Sequence, residues 1–220
     1  IIISEDIKMT HVYVVRHGES EGNKIDAFIG RTDVPLTDLG VKQAELTAEY
    51  LKDVKFSAIY TSDLMRARQT AAPSEKIHNL KAVPEPAFRE IFGGDWEKKP
   101  YHDLINLYPE TYSVWKNDIA SARADNGESV KELYERVTRK LKELALEHDG
   151  ENILVFTHAM PVRAIMCMAK ELPLKKLGEI PWVSNPSVTE LLFKDGKFTL
   201  VKEGYDVHLG KLSTRLSKDV

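Results

Sequence analysis

The sequence predicts an α/β fold, a three-layer α/β/α sandwich in which helices cover a mostly parallel sheet with an antiparallel edge. Short apolar runs alternate along the chain with longer segments of helical period. Near the C-terminus, alternating segments on either side of Asp195-Gly196 predict a β-hairpin that forms the antiparallel edge. The central strands are predicted by three runs that are apolar on both faces, Val12 to Val15, Ala58 to Tyr60 and Ile153 to Phe156.

The first predicted helix lies between the first two strands. The segment from Thr37 to Leu51 has helical periodicity, and Thr37 is a suitable N-cap. We expect its buried side to carry Val41, Ala44, Ala48 and Leu51.

The clearest helical pattern runs from about Val130 to His148. Ser129 and Glu132 have the spacing of a capping box at its start, and Gly150 follows its end. Its apolar positions recur on one face and comprise Val130, Leu133, Val137, Leu141 and Leu144.

A third helix is expected after Asp63, and it contains a proline. Pro73 should interrupt this helix about two turns in, because proline removes a backbone hydrogen bond and clashes with the preceding turn. The sequence therefore predicts a broken helix here.

The composition indicates a soluble globular protein. The chain has 220 residues, of which 42% are hydrophobic and 30% charged, which is enough to bury a full core, and we expect one domain over residues 1–220. The formal net charge of -3 provides no uniform basic surface, so we expect no nucleic-acid partner.

Cysteine usage and hydropathy bear on the compartment. The single cysteine, Cys167, cannot form an internal disulfide, and its methionine neighbours indicate a buried thiol in a reducing compartment. No apolar run reaches the roughly 18 residues of a membrane span, and the opening IIISED is too short and too acidic for a signal peptide. We therefore expect a cytoplasmic protein without a membrane partner.

Charged side chains stand where the buried runs stop. Arg16 and His17 end the first strand, Arg66 lies about one helical turn beyond the second, and His158 directly follows the third. Ligands bind outside the carboxyl ends of the strands in such sheets, so we expect these four side chains to converge. Each histidine alone could be structural, and Arg66 could lie on a solvated helix face, but their equivalent topological positions favour a site.

Seven segments of the chain together carry a family resemblance: VVRHGESEGN, PLTDLGVKQA, TSDLMRARQTA, FREIFGGDWE, GESV, VFTHAMPVRA and VHL. They resemble the histidine phosphatase superfamily, which includes cofactor-dependent phosphoglycerate mutases and many small-molecule phosphatases. The resemblance runs from about His11 to Leu209 and implies a phosphoglycerate mutase-like fold.

The resemblance implies a role for each residue at the strand ends. His17 would be the nucleophile that accepts the phosphoryl group, Arg16, Arg66 and His158 would bind phosphate, and Glu90 would be the proton donor. These roles suit the chemistry, because a guanidinium group stays protonated and binds two phosphate oxygens at once. The two arginines should also lower the pKa of the neighbouring imidazole and favour its neutral, nucleophilic form.

Further contacts to the substrate are implied by the same resemblance. Asn23 would assist the phosphate pocket, Ser20 would add a hydroxyl group, and Gly30 with Arg31 would line the entrance. Ala159 stands where the family usually has glycine, next to the backbone expected to approach the phosphate, and the freer glycine would fit more easily.

The assignment of Glu90 as the proton donor has alternatives in the sequence. Asp95 and Glu97 are backup carboxylates for the proton donor, and Glu90 itself could instead form a surface ion pair with Arg89.

Two histidines in one site could also indicate zinc, but two guanidinium groups favour an anion over a cation, and no cluster has the usual ligand spacing. We therefore expect no metal and no cofactor.

The sequence favours a metal-independent phosphomonoesterase that acts on a small phosphorylated metabolite through a phosphohistidine intermediate. One alternative is a cofactor-dependent phosphoglycerate mutase, which needs extra cations for a second acid group, whereas residues 101–125 contain only Lys116 and Arg123. Another alternative is a catalytically silent binding or regulatory relative, which the complete set of site residues disfavours.

Selectivity for the substrate should come from residues 92–126, which we expect to form a helical lid. Its aromatic residues could line the pocket or only pack the lid onto the sheet, and Lys98 and Lys99 could attract an acidic substrate or remain solvated. The lid aromatics are Tyr101, Tyr108, Tyr112 and Trp115, with His102 beside them.

The apolar segment Ile180 to Val183 is a candidate surface for a homodimer.

Overall fold

The computed structural model describes residues 9–215. Within that range a six-stranded sheet is flanked by helices, and short 3-10 turns lie in the connecting segments. The strands are β1 (Thr10–Arg16), β2 (Ala58–Thr61), β3 (Ala82–Pro84), β4 (Asn152–Thr157), β5 (Ser187–Lys194) and β6 (Lys197–Tyr205). The α-helices are α1 (Glu21–Lys24), α2 (Asp38–Leu51), α3 (Met65–His78), α4 (Tyr101–Leu107), α5 (Pro109–Asn117), α6 (Val130–Glu147) and α7 (Ala159–Ala169).

The sheet has the strand order β3-β2-β4-β1-β5-β6. The first four of these strands are parallel, whereas β5 is antiparallel to β1 and β6 is antiparallel to β5. The predicted mostly parallel sheet with an antiparallel edge is therefore confirmed, together with its three central strands. Strand β3 was not predicted, because its three residues form too short an apolar run to stand out.

Alternate residues of the central strands face opposite layers. Val14 of β1 packs in a core cluster that includes residues of α6 and α7, whereas the next residue, Val15, packs in a cluster with Leu51 of α2 and Ala71 of α3. Both faces of the sheet are thus covered by helices, as a predominantly parallel sheet requires. The predicted three-layer sandwich is confirmed.

The two best predicted helices begin at their predicted caps. Thr37 Oγ1 accepts a hydrogen bond from the Gly40 N–H at 2.9 Å, which caps α2. At the start of α6, Ser129 Oγ accepts from the Glu132 N–H at 3.1 Å, and the Glu132 carboxylate accepts from the Ser129 N–H at 2.8 Å. This reciprocal capping box confirms the sequence signature.

The predicted buried side of α2 is wrong at one position. Val41 is 43% exposed, whereas Ala44, Ala48 and Leu51 are buried as expected. The buried stripe of α2 also includes the polar residues Gln43 and Thr47, so it is rotated away from Val41. The Gln43 side chain can be buried because its polar atoms have partners. It donates to the Leu212 carbonyl oxygen at 2.6 Å and accepts from the Glu19 N–H at 2.7 Å.

The predicted interruption at Pro73 is also wrong. Helix α3 runs without a break from Met65 to His78 and ends at Asn79, which has a left-handed φ of 52°. Ala71 and Ser74 on either side of the proline are buried, whereas Pro73 is only half-buried. We attribute the continuity of α3 to its packing against α2 and the sheet, which offsets the hydrogen bond that proline removes.

The predicted hairpin turn and the predicted buried cysteine agree with the structure. Asp195 and Gly196 both have positive φ, 51° and 78°, as the turn of a two-residue β-hairpin requires. Cys167 is a buried free thiol on α7. Within residues 9–215, no helix is both long enough and apolar enough to cross a membrane.

The capping box of α6 leads to a stability prediction. Ser129→Ala should lower the free energy of unfolding by about 1 kcal/mol, because the Glu132 N–H loses its partner. Urea denaturation followed by circular dichroism measures this change. Ser121→Ala is the matched control, since this exposed serine makes no side-chain hydrogen bond within residues 9–215. Equal stability of the two variants would contradict the importance of the cap.

Candidate active site

The register between β1 and β4 brings two histidines together. Arg16 at the end of β1 is paired with Thr157 at the end of β4, so the next residues, His17 and His158, leave the sheet side by side. Their rings lie edge to face with 5.1 Å between centroids. Both side chains are buried, His158 completely. The predicted convergence of the strand ends is therefore present in the structure.

Arg66 joins the two histidines from the first turn of α3. Its Nε donates to His17 Nε2 at 3.2 Å, and its terminal nitrogens donate to the carbonyl oxygens of Gly30 at 2.8 Å and Thr32 at 3.0 Å. Only 2% of this side chain is exposed. The guanidinium group is thus held at a fixed position beside the imidazole.

The hydrogen bonds of His17 determine its tautomer. His17 Nδ1 lies 2.7 Å from the Gly18 carbonyl oxygen, which can only accept a hydrogen bond, so Nδ1 carries the proton. Nε2 faces the Arg66 Nε–H, which can only donate, so Nε2 presents its lone pair. The arrangement therefore keeps the imidazole neutral, with a nucleophilic Nε2.

Burial and neighbouring charges support the neutral form. Burial, followed by the charges of Arg66 and Arg16, lowers the pKa of His17 well below its ordinary value of 6.5. Burial is likewise the main cause that lowers the pKa of His158, and Arg66 is the next. The sequence predicted the effect of the arginines, but desolvation is the larger cause.

Arg16 is held by the segment that leads into β5. One terminal nitrogen donates to the Val183 carbonyl oxygen. Its Nε is buried and has no hydrogen-bond partner within residues 9–215. Burial lowers the pKa of Arg16 to about 10, so the side chain is still cationic at neutral pH. An unpaired guanidinium N–H in a pocket is suited to an anionic oxygen.

His158 is oriented by a residue of the neighbouring strand end. Its Nε2 lies 2.7 Å from Ser62 Oγ, which directly follows β2. Its Nδ1 is buried without a partner among residues 9–215. His158 is not among the residues that line the pocket wall, and its ring contacts that of His17.

Glu90 enters the pocket from the loop after β3. Its carboxylate accepts from the Ile91 N–H at 2.8 Å and from the Met160 N–H at 3.3 Å. Burial raises the pKa of Glu90 above its ordinary value, against these hydrogen bonds and the charges of Arg66 and Arg16. The alternative ion pair with Arg89 is not formed, because Arg89 pairs with Asp63. A carboxyl group with a raised pKa is a suitable proton donor.

Several predicted contact residues line the same pocket. Ser20, Asn23, Gly30 and Ala159 all contribute to its wall. The Ser20 N–H and Oγ both donate to Asn23 Oδ1 at 2.9 Å, which directs the amide oxygen toward Ser20 and leaves the amino group for a ligand. Ala159 is the first residue of α7, so its backbone N–H belongs to a helix N-terminus, which favours anions.

Three other predicted residues have different positions. Arg31 does not line the pocket, because its side chain pairs with Glu128 and donates to the Glu90 carbonyl oxygen at 3.2 Å. Neither backup carboxylate reaches the pocket. Asp95 accepts from Asn126 Nδ2 at 2.8 Å, and Glu97 accepts from the Arg31 N–H at 2.7 Å and from Thr32 Oγ1 at 2.5 Å.

Two residues that position Glu90 were missed as functional residues. Arg136 of α6 donates to the carbonyl oxygens of Ala87, Arg89 and Glu90 at 2.7, 2.8 and 3.1 Å. Glu128, the acidic residue of the GESV segment, holds Arg136 through hydrogen bonds of 2.6 and 2.8 Å. The only sequence signal was the presence of GESV among the family segments, since nothing local links it to Glu90.

A close backbone approach holds the loop that carries His17. A Cβ at Gly40 would lie 2.0 Å from the Glu19 carbonyl oxygen, so only glycine fits at this position of α2. In addition, Thr70 Oγ1 of α3 accepts from the Gly18 N–H at 3.0 Å. The loop after β1 is therefore fixed by both α2 and α3.

The pocket contains about 690 Å³ of empty space, which includes its open mouth. Beyond the phosphate-binding groups, its wall is largely aromatic and apolar, and Phe28, Trp182 and Met160 belong to it. Of the predicted lid aromatics, Tyr101 and Trp115 line the pocket.

The other aromatic residues of segment 92–126 pack around Trp96. This tryptophan is fully buried, with Tyr112 at 5.6 Å and Tyr108 at 6.2 Å between ring centroids. His102 is mostly exposed and lies beside Asp103. The predicted lid aromatics thus include residues that line the pocket and residues that pack on Trp96, and Trp115 does both.

The segment proposed as a dimer surface is largely buried within the chain. Ile180 is 2% and Val183 7% exposed, and Trp182 lines the pocket. The guanidinium group of Arg163 stacks on the Trp182 ring at 4.1 Å from its centroid. Trp182 was not recognised from the sequence as a pocket residue, because its segment is distant from the motifs along the chain.

No metal centre is formed by the described residues. Within residues 9–215, no group of three or more histidine, cysteine, aspartate or glutamate side chains could hold a metal ion. The donors that face the pocket are the N–H groups of two arginines, an amide and a helix N-terminus. This set is complementary to an anion such as a phosphoryl group.

Comparison with known proteins agrees with the site. The chain belongs to the histidine phosphatase superfamily, branch 1, whose family model matches residues 12–206.

Among individual proteins, phosphoserine phosphatase 1 of Hydrogenobacter thermophilus is 28% identical over 96% of this chain and all of its own length. Phosphoglycerate mutase-like protein 4 of Arabidopsis thaliana is 33% identical over 94% of this chain and 90% of its own. The solved structure of Bacillus stearothermophilus YhfR is 28% identical, with a TM-score of 0.86 over 91% of this chain and 99% of that one. The predicted phosphoglycerate mutase-like fold is confirmed.

The environment of His17 leads to a prediction for its titration. His17 should remain neutral, with the proton on Nδ1, as the pH falls through 6.5, because its pKa is lowered. Side-chain nitrogen NMR measures both the pKa and the tautomer. In Arg66→Gln the pKa should move upward but stay below 6.5, since burial is the larger cause.

The lowered pKa of His17 also predicts how the free energy of unfolding changes with pH. The unfolded chain binds a proton near pH 6.5 and the folded chain does not, so the free energy of unfolding should decrease as the pH falls below about 6.5. Titration of His17 at or above 6.5 would contradict the lowered pKa, and a proton found on Nε2 of the neutral ring would contradict the tautomer.

Proposed function

We propose that the protein is a metal-independent phosphomonoesterase that hydrolyses a small phosphorylated metabolite through a phosphohistidine intermediate. The observation that carries this proposal is the neutral His17, whose Nε2 faces the Arg66 Nε–H and whose pKa is lowered by burial and by the charges of Arg66 and Arg16. Membership in the histidine phosphatase superfamily supports it.

In the first step, the phosphate group binds to the unpaired Arg16 Nε–H, the Arg66 guanidinium group and the Asn23 amino group. The Arg66 Nε–H moves from His17 Nε2 to a phosphate oxygen, which frees the lone pair. His17 Nε2 then attacks phosphorus, so that an N–P bond forms while the ester P–O bond breaks. Protonated Glu90 gives its proton to the departing alkoxide.

In the second step, water attacks the phosphohistidine. The Glu90 carboxylate takes a proton from the water as the new P–O bond forms and the N–P bond breaks. Inorganic phosphate leaves, His17 returns to its neutral tautomer and Glu90 is again protonated. The arginines stabilise the charge on the equatorial oxygens in both steps.

The charges of the pocket favour hydrolysis over a mutase reaction. A mutase must hold a substrate with a second acid group, which requires cations beyond those that bind the transferred phosphate. Among the lining residues of the described chain, Arg16 and Arg66 are the arginines and no lysine is present. Lys99 instead donates to the Asp95 carbonyl oxygen, and Lys98 does not line the pocket.

The silent alternative is disfavoured by the complete site. All five residues given a catalytic role from the sequence lie around the two histidine rings or in the pocket. We further propose that residues 92–126 act as the cover that selects the substrate, since Tyr101 and Trp115 of this segment face the pocket.

The nucleophile is tested by His17→Gln. This variant should lose more than about 10³-fold in kcat for p-nitrophenyl phosphate, because the attacking atom is removed. It should also fail to form the acid-labile phosphoenzyme that the unaltered protein forms when quenched during turnover. His11→Gln on β1 is the control, since this residue lies away from the pocket. Activity of the unaltered protein should persist with chelator; loss of activity with chelator, or activity in His17→Gln, would refute the proposal.

The proton donor is tested by the leaving group. Glu90→Gln should lower kcat/KM for an alkyl phosphate by about 10²-fold or more, but should affect p-nitrophenyl phosphate much less, because p-nitrophenolate departs without a proton. Glu97→Gln is the matched comparison, since this carboxylate holds the Arg31 loop and should affect both esters equally. Equal losses for both esters in Glu90→Gln would assign the proton to another group.

A further inference from the structure

The pocket wall beyond the phosphate-binding groups combines aromatic rings with one carboxylate. Phe28, Tyr101, Trp115 and Trp182 line it together with Asp26. Arg66 donates to His17 and Arg16 precedes His17 in the chain, so we assign both arginines to the phosphate. The rest of the wall is largely aromatic and carries the Asp26 carboxylate.

We propose that the alcohol portion of the preferred substrate carries a cationic amino group and no second acid group, so that the substrate is a phosphorylated amino alcohol. This inference rests on the proposed phosphatase function and specifies its substrate class. It is carried by Asp26, by the aromatic wall and by the placement of the remaining cations.

Asp26 lies in the loop that follows α1, and backbone contacts hold it there. Its carbonyl oxygen accepts from the Tyr101 N–H at 3.2 Å, and the next residue, Ala27, forms a β-bridge with Pro100. Asp26 has a left-handed φ of 47°, which aspartate tolerates better than most residues. Asp26 therefore lines the pocket from a loop whose backbone is bound to the start of α4.

One oxygen of the Asp26 carboxylate lacks a partner. Its Oδ1 is buried and has no hydrogen-bond partner within residues 9–215. Its charge acts on Tyr101, whose pKa is raised by burial, by Glu90, by Tyr112 and by Asp26. A buried acceptor without a donor costs free energy, which a donor group on the ligand would recover.

The aromatic wall suits the same ligand. Phe28 contacts Trp115 at 5.4 Å and Tyr101 at 6.1 Å between ring centroids, in edge-to-face geometry. Ring faces attract alkylammonium groups, and a carboxylate next to such rings strengthens the preference for a cation. A purely apolar alcohol would fit the rings but would leave Asp26 Oδ1 unpaired.

Among the described residues that line the pocket, no arginine or lysine beyond Arg16 and Arg66 is present to bind a second acid group. Arg163 stacks on Trp182, but it is buried and donates to the carbonyl oxygens of Ile180 and Leu177, both at 2.9 Å. Arg31 is paired with Glu128 outside the pocket. A carboxylate on the substrate would therefore meet the charge of Asp26 without compensation.

The test compares esters that differ in charge. Phosphoethanolamine carries an ammonium group, ethyl phosphate is uncharged beyond its phosphate, phosphoglycolate carries a carboxylate, and phosphoserine carries both charges. We expect kcat/KM to be highest for phosphoethanolamine, by about tenfold over ethyl phosphate and more over the two carboxylate esters. A higher value for either carboxylate ester would overturn the inference.

Asp26→Asn separates recognition from the intrinsic reactivity of each ester. Asparagine has nearly the same shape and also tolerates a left-handed φ, so the loop should fold. The ratio of kcat/KM for phosphoethanolamine to that for ethyl phosphate should fall about tenfold in this variant, since leaving-group effects cancel between the two proteins.

Glu21→Gln is the control for general electrostatics. It removes one negative charge from the exposed side of α1 and should leave the ratio unchanged. An unchanged ratio in Asp26→Asn, or an equal fall in Glu21→Gln, would refute the role of Asp26. Hydrolysis of p-nitrophenyl phosphate by the unaltered protein reports on the phosphatase function separately, so its absence would refute that function rather than the substrate class alone.

Discussion

The parallel pairing of β1 with β4 determines where every group of the site lies. Because Arg16 is opposite Thr157, the chain leaves both strands at the same level, and His17 and His158 become neighbours. The parallel pairing of β2 with β4 likewise places Ser62 within hydrogen-bond distance of His158. A shift of one residue in either ladder would turn each strand's side chains to the opposite face and separate the groups. The buried apolar faces of the strands prevent such a shift, so core packing also maintains the site.

Burial shifts the pKa values of His17, Glu90, Arg16 and Arg66, and the shifts give these groups different protonation states. Burial lowers the pKa of His17 and raises that of Glu90, so one group is neutral and nucleophilic while the other can hold a proton. Arg16 and Arg66 remain cationic despite burial because their ordinary pKa is so high. The same desolvation therefore keeps the imidazole neutral and favours the protonated form of the carboxyl group, while the two arginines stay charged.

The supporting residues act mainly through backbone carbonyl groups. Arg136 binds the loop that carries Glu90, Arg66 binds the Gly30 and Thr32 carbonyls, and Arg16 binds that of Val183. The loops around the pocket are thus fixed by guanidinium groups that extend from regular elements. Such positioning is what phosphoryl transfer demands, since the protein contributes orientation and charge rather than further covalent chemistry.

The local sequence by itself determined the elements with a short-range physical cause. The strands at residues 12–15 and 153–156, the capping box at Ser129 and the turn at Asp195-Gly196 depend on hydrophobic pattern, a cap or a backbone conformation, and each is confirmed. The grouping of His17 with His158 was also accessible, because parallel strands end at one edge. Their roles in catalysis, with that of Glu90, came from the family motifs and stay predictions.

Only the tertiary structure decided the features that depend on long-range contacts. The continuity of α3 through Pro73, the rotation of α2 away from Val41 and the pairing of short β3 come from packing that no local pattern reports. The tautomer of His17 depends on Arg66, and the unpaired Oδ1 of Asp26 depends on the approach of the loop before α4. Burial is a property of the assembled layers, so the pKa values and the charge of the pocket arise only when the chain has folded.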